Sequence, residues 1–167
     1  MCIFGPLSVP IGPVPISLTN LVIYLAIFLL GTKLGTLSYV IYLLLGVAGL
    51  PVFSGYAGGI GKLAGPTGGY LIGFIPMAII CGIVIDKWSK NKIVIAGGMV
   101  IGTLVAYALG TVWFVLMMDC EVWYALTVCV FPFLIGDGVK IAISLILGST
   151  LRKRLAKLGY VKVKENE

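Results

Sequence analysis

Charged residues in this chain stand so far apart that the stretches between them can only be housed in a lipid bilayer. Lys33 and Lys62 bracket an uncharged run over 34–61. Further runs cover 63–85 before Asp86, 93–118 before Asp119 and 122–136 before Asp137, and mostly apolar sequence resumes after Lys140 as far as Leu151. A transmembrane helix needs ~20 mostly apolar residues, and the longer runs supply them. Hydrophobic residues make up 60% of the 167 and charged residues 11%, against ~45–50% and ~25% in soluble domains. A water-soluble core of this size could not hide so much apolar surface. The runs are continuous blocks rather than alternating patterns, which excludes a transmembrane β-barrel. The chain is expected to be an all-α membrane protein.

Prolines set the expected span boundaries. Pro6, Pro10, Pro13 and Pro15 cannot share one regular helix, because each lacks an N–H and clashes with the preceding turn. The expectation is a partial first helix over 1–9, an extended Pro-rich link over 10–16, and spans over 18–30, 34–50, 66–85, 93–118 and 122–151. The last is read as broken, with Pro132 kinking it. A glycine-rich loop covers 51–65. The result is a six-helix bundle whose first helix reads as truncated, since about nine residues before Pro10 are too few to cross: either Met1 is internal to a longer frame, or the helix itself is cut short. The single transmembrane domain ends near residue 155, and 156–167 form a basic tail.

Ten of the twelve cations fall on one side when the connections are numbered alternately: Lys33, then Lys87, Lys90 and Lys92, then the six from Arg152 to Lys164. The other side receives Lys62 with Asp119 and Glu121. The positive-inside rule assigns the rich side to the cytoplasm, and both termini join it if the first helix is complete. The expected location is a bacterial or archaeal plasma membrane. No basic region precedes the first apolar run, so no cleavable signal peptide is read. The C-terminal basic cluster reads as an ordinary cytoplasmic anchor rather than a nucleic-acid site.

Chemistry-bearing residues are few. There is no His, which removes the commonest acid–base catalyst and metal ligand. Cys2, Cys81, Cys120 and Cys129 show no C-x-x-C spacing and read as packing residues. Asp137 and Lys140, three apart, share one helix face. At ~1.5 Å per residue Asp137 stands about 22 Å above Arg152, in the outer half of the membrane. Ionisable residues at such depth face a cavity, a partner or a pathway, or else simply neutralise each other; the cavity reading is preferred. In the loop, Gly61-Lys62 is followed by Leu63, so the Walker pattern fails. Phe53, Tyr56, Thr67 and Tyr70 are candidate lining residues of an outward pocket, and the loop reads as its lid. Gly69-x-x-x-Gly73 and Gly98-x-x-x-Gly102 are expected to let their helices approach closely.

Several segments resemble one known family. They are Pro10-Ile-Gly-Pro-Val-Pro-Ile-Ser-Leu18, Leu30-Gly-Thr-Lys-Leu-Gly35, Tyr42-Leu-Leu-Leu-Gly-Val-Ala-Gly-Leu-Pro-Val-Phe53, Gly65-Pro-Thr-Gly-Gly-Tyr-Leu-Ile-Gly-Phe74 and Pro132-Phe-Leu-Ile-Gly-Asp-Gly-Val-Lys140. Together they are similar to BioY, the biotin-binding S component of energy-coupling factor (ECF) transporters, over about residues 5–155. The resemblance implies a six-helix S-component bundle that captures biotin from outside and has no catalytic activity or cofactor. It also implies partners, a membrane T subunit and two cytoplasmic ATPase subunits. It places the family's ligand signature on Asp137 and Lys140. The Ala-x-x-x-Ala docking motif of many S components is not visible here, in keeping with a truncated first helix. Two alternatives stay open: an S component for another small vitamin, or a structural membrane protein in which Asp137 and Lys140 form only an internal ion pair.

Overall fold

Lipid reverses the usual burial pattern of a helix, and the last long helix displays the reversal. Phe133, Asp137, Lys140, Ile141, Ser144, Gly148 and Arg152 recur at spacings of three and four and are buried. Ile135, Val139 and Ile146 on the other faces are exposed. Polar residues point into the bundle and aliphatic ones outward, as expected where hydrocarbon is the solvent. In the computed structural model, which describes residues 1–9, 14–89 and 91–157, the other long helices likewise leave large aliphatic side chains exposed.

The elements run β1 (Ser8–Val9), β2 (Ile16–Ser17), α1 (Thr19–Val47), α2 (Ile60–Leu63), α3 (Gly68–Lys87), α4 (Lys92–Met118), α5 (Val122–Cys129) and α6 (Phe131–Lys157). Four helical segments are long and apolar enough to cross a membrane: Thr19–Val47, Gly68–Lys87, Lys92–Met118 and Val122–Lys157. The protein is therefore a multi-pass helical membrane protein.

The first of these segments is not one rod. A straight α1 would reach about 43 Å, well beyond the ~30 Å hydrocarbon core. Gly31 breaks it with φ 78° and ψ 179°, a conformation essentially confined to glycine. The two arms fold back so closely that a Cβ on Gly35 would stand 3.0 Å from the Ile27 Cα. Asp86, from the end of α3, caps the second arm: its Oδ2 accepts from the Thr32 backbone N–H at 2.9 Å and from the Thr32 hydroxyl. The separate spans expected over 18–30 and 34–50 are these two arms.

Helices α3 and α4 pack through the predicted small-residue patches. A side chain on Gly69 or Gly73 would run into Trp113, Leu109 and Ala106 of α4; one on Gly98 or Gly102 would meet Val84, Cys81 and Met77 of α3. Around this pair a core gathers Ile23, Tyr24, Ile27, Phe28, Tyr39, Met77, Cys81 and Met99. A smaller cluster holds Val14, Tyr70, Tyr107, Phe114, Cys129 and Phe133. Buried phenols find acceptors, as burial demands: Tyr39 donates to the Leu71 carbonyl at 2.7 Å and Tyr42 to that of Val52 at 2.8 Å.

Three expectations need correction. Residues 1–9 form no helix: one turn closes from Gly5 N–H to the Met1 carbonyl, and Ser8–Val9 pairs antiparallel with Ile16–Ser17. So short a segment, interrupted by Pro6, cannot recover the cost of helix nucleation, whereas a β-ribbon satisfies its backbone at once. The expected count of six spans, one of them partial, is therefore not reached among the described residues. Within the Pro-rich link, residues 10–13 lie outside the described set. Pro132 does not kink a helix either. The break is at Val130 (φ −123°, ψ −58°), and Pro132 sits in the first turn of α6, where its missing N–H has no helical partner to lose. Helix α6 runs on to Lys157 rather than stopping at 151; of the expected tail, 158–167 lie outside the described residues.

Candidate functional site

The inward stripe of α6 carries a charged pair with two further anchors. The Lys140 ammonium donates to Asp137 Oδ1 at 2.9 Å and to the Ser17 carbonyl at 2.8 Å. Asp137 Oδ2 accepts from the Tyr107 hydroxyl, on α4, at 2.6 Å. Asp137 is 5% exposed and Lys140 7%. Charges this deep are stable only when paired and hydrogen-bonded, and here β2, α4 and α6 share that task. Each carboxylate oxygen keeps a lone pair, and the ammonium keeps a third proton, for a further partner.

Beside the pair lies a small cavity of about 70 Å³, less than the ~300–1,000 Å³ typical of small-molecule sites. Asp137 and Lys140 form part of its wall together with Tyr107 and Thr103 of α4, Thr19 and Asn20 at the start of α1, and Ser17 of β2. Tyr70, Phe74, Phe133, Ala106 and Leu71 supply apolar and aromatic surface. The loop contributes Phe53, Ser54 and Lys62, and Thr67 closes the rim at the head of α3. The loop is held in place by its backbone: Phe53 N–H donates to the Ala57 carbonyl at 2.9 Å, Gly59 N–H to Gly46 at 2.7 Å, and Gly55 N–H to Pro6 at 3.0 Å. Trp113 Nε1 donates to the Gly65 carbonyl at 3.0 Å. The cavity lies at the end of the bundle opposite Arg152 and Asp86.

Five of the six residues expected to line a pocket do so: Asp137, Lys140, Phe53, Thr67 and Tyr70. Phe53 is wholly buried, edge-on to Tyr42, and the Tyr70 hydroxyl is spent on the Cys129 carbonyl at 2.9 Å. Tyr56 does not line it. The Phe53–Ala57 bridge makes a tight reversal, and Tyr56 sits at its tip with φ 57° and its side chain 64% exposed. Sequence reasoning missed Tyr107, Thr103, Asn20 and Phe133. The spacing of Thr103 and Tyr107, four apart on one face of an otherwise apolar helix, was a readable signal. So was the polar run Ser17-Leu-Thr-Asn20 after the prolines. Among the described residues no group of three or more acidic, Cys or His side chains could hold a metal ion.

Fold and site together define a class: a multi-pass helical bundle with a charge-lined cavity toward one end. The comparisons narrow it. Residues 1–157 match the BioY family, and the chain belongs to that family. It is 39% identical to the biotin transporter BioY of Thermotoga maritima over 148 residues, covering 88% of this chain and 86% of the relative. It is 38% identical to the probable biotin transporter BioY of Pyrococcus horikoshii over 146 residues, with 87% and 85% covered. The crystal structure of the S-component for biotin from an ECF-type ABC transporter superposes with a TM-score of 0.84 at 31% identity, covering 91% of this chain and 84% of that one.

Proposed function

We propose that this chain is the biotin-capturing S component of an ECF-type vitamin importer. The observation that carries the reading is the buried Asp137–Lys140 pair on the wall of a cavity. Biotin presents two ureido N–H donors, a ureido carbonyl, an apolar bicycle with its valeryl chain, and one carboxylate. Asp137 accepts from the N–H groups, and Lys140 donates to the carbonyl or the carboxylate. Two lysines against one aspartate leave the cavity one positive charge in excess, which complements a monoanion. Tyr70, Phe74 and Phe133 give the bicycle its apolar walls. Both residues line the cavity as well as pairing with each other, which supports more than an internal ion pair.

The named relatives and the structural neighbour support biotin over another vitamin. Uptake then belongs to an assembly with a membrane T subunit and two ATPase subunits, since the chain itself carries no nucleotide loop. The positive-inside rule puts the end bearing Lys33, Lys87 and Arg152 in the cytoplasm and the cavity outside. Isothermal titration of purified protein with biotin tests the reading. Wild type binds tightly, and Asp137→Asn weakens binding at least tenfold, about 1.4 kcal/mol; equal affinities reject the assignment.

A further inference from the structure

The opposite end of the bundle holds a second cavity, about 370 Å³, that the first cavity does not explain. Ser89, Lys92, Ser149, Arg152 and Lys153 surround it, over an apolar floor that includes Phe28 and Ile95. Arg152 is only 6% exposed. Its Nη2 pairs with Asp86 Oδ1 at 2.7 Å, while Nε and Nη1 are buried and reach no acceptor. Buried donors are normally satisfied, and Asp86, whose oxygens serve Arg152 Nη2 and Thr32, does not reach the other two guanidinium nitrogens. No carboxylate lines this cavity among the described residues, yet Lys92 and Lys153 bring two more positive charges to its mouth. Two unused guanidinium N–H donors, two ammonium groups and the Ser89 hydroxyl make a donor set for a tetrahedral oxyanion.

We propose that this cavity binds the phosphate of an anionic phospholipid. Its cation-rich rim lies at the membrane end that carries most of the chain's positive charge, where phosphate headgroups stand, and basic pockets between transmembrane helices suit such headgroups. Arg152 Nε and Nη1 take the phosphate oxygens from within, Lys92 and Lys153 from the rim, and the apolar floor receives the adjoining glycerol and acyl carbons. A dissolved phosphate shares the charge chemistry but has no use for the floor. The inference is independent of which ligand fills the chamber at the other end.

The test is native mass spectrometry of the full chain in detergent with an equimolar mixture of phosphatidylglycerol and phosphatidylcholine, with inorganic phosphate added in a separate arm. Phosphatidylglycerol adducts are expected to exceed phosphatidylcholine adducts roughly tenfold. Because Arg152 also holds Asp86, the main variant is the double change Lys92→Gln and Lys153→Gln, at exposed positions outside that pair. It is expected to lower phosphatidylglycerol retention about tenfold with an unchanged melting midpoint. Arg152→Lys, which keeps the charge but loses the planar fork, lowers it as well. Equal retention of both lipids, or undiminished retention in the double variant, overturns the proposal. A melting midpoint raised by inorganic phosphate, without lipid preference, overturns the lipid source and gives the site to a dissolved anion.

Discussion

The hydroxyl of Tyr107 stands 2.6 Å from Asp137 Oδ2, joining the middle of α4 to the first half of α6 across thirty residues of sequence. With Lys140 on the other oxygen, it holds the carboxylate from two sides. The side chain that carries the proposed recognition is thus oriented before any ligand arrives, which reduces the ordering cost of binding.

Tyr107→Phe removes that hold without changing the cavity's shape. Hydrogen bonds to charged groups contribute about 1.5–3 kcal/mol. The variant is expected to lose stability in that range and to bind biotin several-fold more weakly, as read by thermal unfolding in detergent and by titration. Unchanged affinity would confine Tyr107 to a packing role.

Tyr56 and Lys62 sit six residues apart in the same loop, and the structure separates their roles. Tyr56→Ala should leave biotin affinity within experimental error, since its side chain lies outside the cavity. Lys62→Gln removes a cation from the wall and should weaken binding of the anionic vitamin, with a deficit that shrinks as salt screens the partly exposed charge. Titration at low and high ionic strength checks both.

Gly31→Ala places a Cβ at φ 78°, ψ 179°, where non-glycine residues cost roughly 1–3 kcal/mol. The loss should appear in thermal unfolding. Gly35→Ala, which crowds Ile27 instead, provides a comparison in which only packing changes. No loss of stability in Gly31→Ala would mean the reversal does not require glycine.

Gly69→Leu drives a side chain into Trp113 and the Leu109 carbonyl. Overpacking a close helix contact costs about 1–3 kcal/mol or more. The neighbouring Tyr70 and Trp113 set the cavity wall and pin the loop, so biotin affinity should fall together with the melting midpoint. A variant that melts lower but binds normally would show that the α3–α4 contact supports the fold alone.

The amino-acid sequence by itself determined the solvent, the helical class and much of the site. Widely spaced charges require a bilayer, and a bilayer requires every backbone group to be satisfied within the segment, so the helices at Gly68–Lys87 and Lys92–Met118 begin and end close to where the charges predict. An aspartate and a lysine three apart within an otherwise apolar stretch were conspicuous because lipid makes unpaired charge so costly. Tertiary structure alone decided three matters. Whether residues 1–9 become a helix or a ribbon depended on Ile16–Ser17 being at hand as a pairing partner. Whether Tyr56 or Lys62 faces the chamber depended on a turn only five residues long. That Tyr107, rather than any other phenol, meets Asp137 depended on how far α4 and α6 slide past one another. Local sequence fixes which residues share a helix face, but the relative register of two helices is set by the packing of all the side chains between them.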